Sequence, residues 1–212
     1  MSDVRTASVP EYPAVAMLLG QVFRDDPTLG AVVRDAQDPA SRLARMFTVQ
    51  IGEIFAPSGA VDVLPDAEGG LAGAALWAEP GAWHRSRWAE LRGMPALARA
   101  LGRSFPASVR SERACLDRHP TFPHWYLYVV GSATRSRGRG VGSALLRHGL
   151  ARAEAQGVPV YLEATTPRSA RLYQRWDFVE LGPVPNPLGD QDAVGMWRPS
   201  GGKGALEHPD RL

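Results

Sequence analysis

The run Arg137-Gly138-Arg139-Gly140-Val141-Gly142-Ser143 constrains this chain more than any other stretch. It separates a strand-like segment, Trp125 to Val130, from a helix-like segment, Val141 to Gln156. Glycine at alternate positions exposes a row of backbone N–H groups where a helix begins. Oriented amides and the helix dipole favour a phosphate or pyrophosphate there, and Arg137 and Arg139 add positive charge. Two common glycine loops fail on spacing. The P-loop needs Gly-x4-Gly-Lys-Ser/Thr, which occurs nowhere in the chain. The dinucleotide fingerprint needs a third glycine where Ser143 or Leu145 stands, although Glu163 lies roughly 20 residues on, where a ribose-binding acid belongs. The pattern that remains is Arg/Gln-x-x-Gly-x-Gly/Ala, met by Arg137, Gly140 and Gly142.

The elements around the loop describe a mixed sheet. Ala14–Phe23 reads as a helix with Val15, Leu18, Leu19 and Val22 on one side, closed by Asp25-Asp26-Pro27. Asp38 caps a second helix, with Pro39 at its first position and Leu43, Phe47, Ile51 and Ile54 on its apolar face. Ala60–Leu64 and Leu71–Trp77 form a hairpin. Trp83 to Asp117 reads as mostly helical, with breaks near Gly93–Pro95 and Phe105-Pro106. Gly131 permits a bulge or the close approach of another group. The helix after the loop buries Val141, Leu145, Leu146, Leu150 and Ala153. The next strand, Val158–Ala164, lies parallel to the one before the loop, because a helical crossover joins them. Thr166-Pro167 opens a short helix to Trp176, and Phe178–Val184 and Ala193–Arg198 finish as antiparallel strands. The sum is an α/β (α+β) fold: a mixed, mostly antiparallel sheet with one central parallel pair, flanked by helices.

Length and composition bound the rest. At 212 residues, 44% of them hydrophobic, the chain supports one domain over 1–199 with a helical insertion at about 80–122. Residues 200–212 read as a flexible tail. A net charge of +2 with scattered arginines gives no basic stripe for nucleic acid. The single Cys115 excludes an internal disulfide and suits a reducing compartment. The five histidines show no metal-ligand spacing. Ser2 to Tyr12 is polar, unlike a signal peptide, and no run approaches the roughly 20 apolar residues of a membrane helix. The expectation is a soluble cytoplasmic protein, monomer or homodimer.

From His124 to Phe178 the chain resembles the GNAT superfamily of N-acetyltransferases, most closely the branch that includes puromycin N-acetyltransferase. The resemblance rests on the strand before the loop, the Arg137 to Gly142 loop, and Gly142-Ser143-Ala144-Leu145-Leu146. Tyr161-Leu162-Glu163, Pro167-Arg168-Ser169 and Leu172-Tyr173 before Phe178 extend it. Weaker similarity reaches Phe23-Arg24-Asp25-Asp26-Pro27 and Met196-Trp197-Arg198. The chain departs from the branch at Ala133-Thr134, where Asp-Pro is common, at Ser169, where Asn is frequent, and at Trp176-Asp177, where a pair ending in Gly precedes the phenylalanine.

The resemblance implies acetyl-CoA as cofactor and a small-molecule amine as acceptor. It also implies that the parallel strands splay apart around the pantetheine arm. Val130, Gly131 and Ser132 would pair with the pantetheine amides. Arg137, Gly138, Arg139, Gly140, Val141, Gly142 and Ser143 would hold the pyrophosphate, and Ser169 would touch the pantetheine or adenosine side. Tyr173 matches the family's acid near the cofactor sulfur. Glu163 shares a strand face with Tyr161 and is a base, a substrate-binding carboxylate or a structural one. Asp26, Trp83, Trp88, Tyr126 and Tyr128 are candidates for the acceptor side, with His84 and His124 beside them. Three other readings stay open: a protein lysine or N-terminal acetyltransferase, a non-catalytic acyl-CoA-binding module, and a dinucleotide module.

Overall fold

The computed structural model describes residues 3–82 and 87–201, with the side chains of 87–92 outside that description. Seven strands form one sheet in the order β1-β2-β3-β4-β5-β7-β6. They are β1 (Arg5–Thr6), β2 (Gly59–Pro65), β3 (Leu71–Ala78), β4 (Trp125–Ser132), β5 (Val160–Ala164), β6 (Val179–Val184) and β7 (Ala193–Arg198). Neighbours are antiparallel except the central β4–β5 pair, which is parallel as the helical crossover requires. The helices are α1 (Tyr12–Phe23), α2 (Leu29–Val32), α3 (Pro39–Gln50), α4 (Arg87–Leu101), α5 (Phe105–Leu116), α6 (Val141–Ala155) and α7 (Pro167–Gln174).

Strand alternation divides the core between the two faces. On one face Val61, Val63, Leu76, Tyr126 and Tyr161 pack against Leu19, Leu43, Phe47 and Ile51 of α1, α3 and the π-helical turn that extends α3. On the other, Trp77, Trp125, Leu127 and Leu162 pack against Leu145, Leu146, Leu150 and Ala153 of α6 and Ala170 and Tyr173 of α7. The apolar face expected for α6 is therefore the one it buries. Asp38 caps α3 by accepting the Ser41 N–H, with Pro39 at the start of the helix.

Several local expectations need correction. Two short elements, β1 and α2, carry no hydrophobic period long enough to read. Gly93–Pro95 does not break α4, which runs through Pro95 to Leu101. The missing N–H costs one bond, while Leu101 is fully buried in the core shared with α3. The break falls instead at Gly102–Ser104, where Gly102 takes φ 54°. Pro106 stands in the first turn of α5, where a missing N–H costs nothing. The last helix stops at Gln174, and Asp177 adopts φ 65°. Aspartate tolerates that left-handed region better than most residues.

Gly131 proves to be a site of close approach. A Cβ there would stand 3.0 Å from Val22 of α1. The bulge lies earlier in the strand: Leu76 pairs with Val129 but Trp77 with Leu127, so Tyr128 is the extra residue. Alternation slips there, and Tyr128 and Val129 both join the α1/α3 face.

Candidate active site

The parallel strands stay together only at Trp125↔Val160, Tyr126↔Tyr161 and Leu127↔Leu162. Beyond Leu127, β4 remains bonded to β3 through Ala75↔Val130, Ala74↔Gly131 and Gly73↔Ser132. Its opposite edge has no β5 partner there, while β5 keeps its pairing with β7 on its far edge from Val160 to Ala164. The expected splay is thus present, and the bulge at Tyr128 marks where it begins. A cavity of about 250 Å³ opens in the gap. Asp26, Tyr126, Tyr128, Val130, Glu163, Ser169 and Tyr173 all line it, so the cleft is bounded from both faces of the sheet.

Glu163 is the most constrained of these groups. Its side chain is 12% exposed. The Tyr126 hydroxyl donates to Oε2 at 2.8 Å and the Tyr161 hydroxyl to Oε1 at 3.2 Å. The Tyr161–Glu163 contact bears out the shared strand face. Burial raises the carboxyl pKa above its ordinary value, and the two phenol hydrogen bonds oppose that only in part. No arginine or lysine pairs with it among the described residues. A carboxyl group with neutral donors and a cavity in front of it is suited to exchange a proton with a ligand.

Tyr173, on α7, is 9% exposed and stands against Phe178 at 5.8 Å between ring centroids. Burial first, then the negative charge of Asp26, pushes its phenol pKa well up, so the group is a proton donor at neutral pH. Its hydroxyl makes no hydrogen bond among the described residues.

Other candidates are more fully committed to structure. Asp26 Oδ1 accepts the N–H groups of Thr28 and Leu29, both at 2.9 Å, and Oδ2 accepts the Thr165 hydroxyl at 2.7 Å. It clips the turn after α1 to the end of β5. Ser169 lines the cavity, but its Oγ donates to the Thr166 carbonyl and accepts the Thr166 N–H. That is the capping box of α7, legible in Thr166-x-x-Ser169. Tyr128 accepts a bond from Gln50 Nε2 at 2.9 Å and stacks on Phe55. Trp83 and His84 lie outside the described residues, as does the side chain of Trp88 on α4.

The glycine loop is where the spacing put it. Gly138 and Gly140 have φ 77° and 78°, and a Cβ on either would meet nothing within 4 Å. Gly140 is the N-cap of α6, and no side chain caps that helix end. The N–H groups of Val141, Gly142 and Ser143 therefore open outward from its first turn. Arg137 and Arg139 are exposed and form no ion pair among the described residues. Ser132, at the end of β4, reaches this loop: its Oγ lies 3.7 Å from where a Gly142 Cβ would stand.

A second cavity, of about 330 Å³, lies between α3, α4 and α5. It shares Leu29, Ser111, Glu112 and Tyr128 with the first. Its lining includes Met46, Ile54, Leu97, Leu101 and Leu116, with Glu53 and Glu112 as the acidic members. Sequence reading anticipated a helical cover here and, of the lining residues, only Tyr128 as an acceptor-side candidate. It also missed His119, which is buried within ion-pair reach of Glu163. Among the described residues no group of side chains is arranged to hold a metal ion, and no helix is long and apolar enough to cross a membrane.

Residues 109–178 match the profile of the Acetyltransferase (GNAT) family. The chain is similar to a solved structure from Corynebacterium glutamicum described as histone acetyltransferase HPA2 and related acetyltransferase. Identity is 36% over 94% of this chain and 97% of that one, with a TM-score of 0.73. It shares its fold with a GCN5-related N-acetyltransferase from Kribbella flavida, at 22% identity, 93% and 96% coverage and a TM-score of 0.56. It also shares it with arylalkylamine N-acetyltransferase 2 from Aedes aegypti, at 15% identity, 92% and 96% coverage and a TM-score of 0.56. The chain belongs to the GNAT acetyltransferase family, a family of acyl-transfer enzymes. Its members generally use acetyl-CoA. The residues present suit that group: two left-handed glycines with open Cβ positions, outward N–H groups at a helix start, and, among the described residues, two arginines without an ion pair and an unpartnered strand edge.

Proposed function

We propose that this protein is an acetyl-CoA-dependent N-acetyltransferase acting on the primary amine of a small molecule. One observation carries the reading. The cleft opened by the β4–β5 splay brings a buried carboxyl, Glu163, and a buried phenol, Tyr173, to one cavity beside the free edge of β4. In this reading the backbone of Val130, Gly131 and Ser132 and the loop from Arg137 to Ser143 hold the cofactor.

Acetyl-CoA, when bound, supplies an acetyl group activated as a thioester. An alkyl amine near its ordinary pKa of about 10.4 arrives as ammonium, which has no lone pair for attack. Glu163, ionised, accepts one proton from it, and Tyr126 and Tyr161 hold the carboxylate in place by donating to it. The freed amine attacks directly while both ligands are bound. Tyr173 gives its proton to the departing sulfur, and the second proton that the nitrogen sheds on becoming an amide restores the phenol through solvent. Its raised pKa keeps the phenol protonated until the sulfur departs.

The second cavity supports a small acceptor with an apolar body. Its walls are largely aliphatic, its charged members are Glu53, Glu112 and Arg113, and it joins the first at Tyr128 and Glu112. The resemblance to the puromycin N-acetyltransferase branch points the same way. A protein lysine is the second reading, favoured by the name of the Corynebacterium relative. Calorimetry with acetyl-CoA, CoA, NAD and ATP, followed by thiol release over a panel of amines and histone peptides, separates these. Selective acetyl-CoA binding with turnover of an apolar amine supports the proposal. Turnover of peptides alone favours the protein reading, binding without turnover makes the chain an acyl-CoA-binding module, and no CoA binding sinks all three.

A further inference from the structure

Glu163 and Tyr173 account for the amine and the sulfur, but not for the rest of the acceptor. The first cavity, of about 250 Å³, must take the thioester end of the cofactor as well as the amine. The second, of about 330 Å³, lies across a waist formed by the four residues that line both: Leu29, Ser111, Glu112 and Tyr128. Beyond the waist the lining includes Val32, Met46 and Leu101, all buried members of the core. Protein interiors hold few voids larger than a water molecule, because the lining of a void loses its dispersion contacts. A space of this size against core side chains instead matches small-molecule pockets, which begin near about 300 Å³.

Two sides of the waist are held in place. Tyr128 is the bulged residue of β4; Gln50 Nε2 donates to its hydroxyl at 2.9 Å, and Phe55 stacks on its ring at 5.0 Å between centroids. Leu29 begins α2, and its N–H donates to Asp26 Oδ1 at 2.9 Å, while Asp26 Oδ2 accepts the Thr165 hydroxyl. Ser111 and Glu112 come from α5. Ser111 is buried and has the smallest side chain of the four. On the far side, the π-helical turn Ile51–Phe55 is closed by the Ala56 N–H on the Ile51 carbonyl at 2.9 Å, and it contributes Glu53 and Ile54 to the second cavity. Such turns recur at functional sites.

We propose that Ser111 is a specificity-determining residue, and that the acceptor carries its primary amine on an unbranched spacer ending in an apolar body. This rests on the reading of the first cavity as the site of transfer. The amine stands at Glu163, the spacer crosses the waist beside Ser111, and the body fills the space between α3, α4 and α5. Serine leaves room for a spacer where leucine or phenylalanine would close the passage. The body gains by leaving water, about 4-fold in binding for each buried CH₂. A peptide lysine belongs to a different class, because its spacer ends in backbone amides. Those need hydrogen-bond partners that a largely aliphatic wall does not supply.

The test is a series of straight-chain primary amines from propylamine to octylamine, with phenylalkylamines of matching spacer length. Thiol release at saturating acetyl-CoA is measured with the natural chain and with Ser111→Leu. In the natural chain kcat/KM should climb once the spacer passes the waist, by about 4-fold per CH₂. In Ser111→Leu the climb should flatten, so that the ratio of long-chain to short-chain kcat/KM falls by about 10- to 100-fold. A natural chain indifferent to length, or a Ser111→Leu ratio equal to that of the natural chain, overturns the proposal. Should Ser111→Leu not fold, Leu97→Trp fills the second cavity from α4 instead. It should lower the same ratio, and an unchanged ratio overturns the proposal equally. The transfer-site reading fails separately, and the proposal with it, if the natural chain releases no thiol with any amine of the series.

Discussion

Two buried carboxylates lie on opposite faces of the same sheet, and the contrast between them locates the chemistry. Asp62, on β2, faces α6 and is wholly inaccessible. Arg152 of α6 grips it with one nitrogen at 2.8 and 2.9 Å from its two oxygens, and His148 Nε2 stands 3.8 Å away. The Arg152 guanidinium also lies 5.4 Å over the Trp125 ring. Burial pushes the Asp62 carboxyl up, and Arg152 and His148 pull against it. Glu163 faces the other way, is hydrogen-bonded to two phenols with an imidazole nearby, and opens on a cavity. A carboxylate locked to a permanent cation is part of the scaffold. One held by neutral donors keeps its proton affinity adjustable, and access to a cavity lets that proton come from a ligand.

The contrast is most sharply tested at Glu163. Glu163→Gln should lower kcat by about 10²–10⁴-fold and leave acetyl-CoA binding intact. Stability should respond to pH with a definite sign. Because burial raises the folded pKa of Glu163, the folded state holds its proton more tightly than the unfolded chain. The resulting stability is full below the ordinary glutamate pKa and fades as pH rises through the raised value. Urea unfolding from pH 4 to 8 should therefore show Glu163→Gln gaining on the natural chain as pH rises. A parallel pH dependence would remove the claim that Glu163 is perturbed.

Arg152→Met should do the reverse. It leaves a buried carboxylate unpaired, at a cost of about 3–5 kcal/mol, while kcat of the folded protein stays unchanged. Adding Asp62→Leu should recover much of that loss. If Arg152→Met instead damages turnover without lowering stability, the division between scaffold and site is wrong. Tyr173→Phe should cost turnover on the order of 100-fold, with acetyl-CoA affinity measured by calorimetry unchanged. The smallest effect should come from the loop. Gly140→Ala forces a side chain into φ 78°, at about 1–2 kcal/mol. Its signature should be weaker acetyl-CoA binding with kcat preserved at saturation, a backbone defect distinct from both carboxylate variants.

How legible the molecule was depended on how local its causes are. The glycine loop, the α6 face, the Asp38 and Thr166 caps and the parallel crossover all follow from residues close in sequence. They appeared with nearly the expected boundaries. Resemblance supplied Tyr173 and Glu163 as candidates, and the fold brings them to one cleft. The helical cover was harder, because whether Pro95 ends a helix depends on what that helix packs against. Trp83 and Trp88 remain sequence candidates only.

The sequence by itself determined the periods, the caps, the left-handed loop positions and hence the order of elements, since those are set within a turn or a strand. Only the tertiary structure decided where the parallel pair parts, because the Tyr128 bulge and the end of the β4–β5 pairing at Leu127↔Leu162 arise between strands distant in the chain. It also decided which carboxylate is free to work. Asp62 and Glu163 are each one acid among apolar neighbours in the sequence. A guanidinium 90 positions away fixes one, and a phenol 37 positions away leaves the other able to take up a proton.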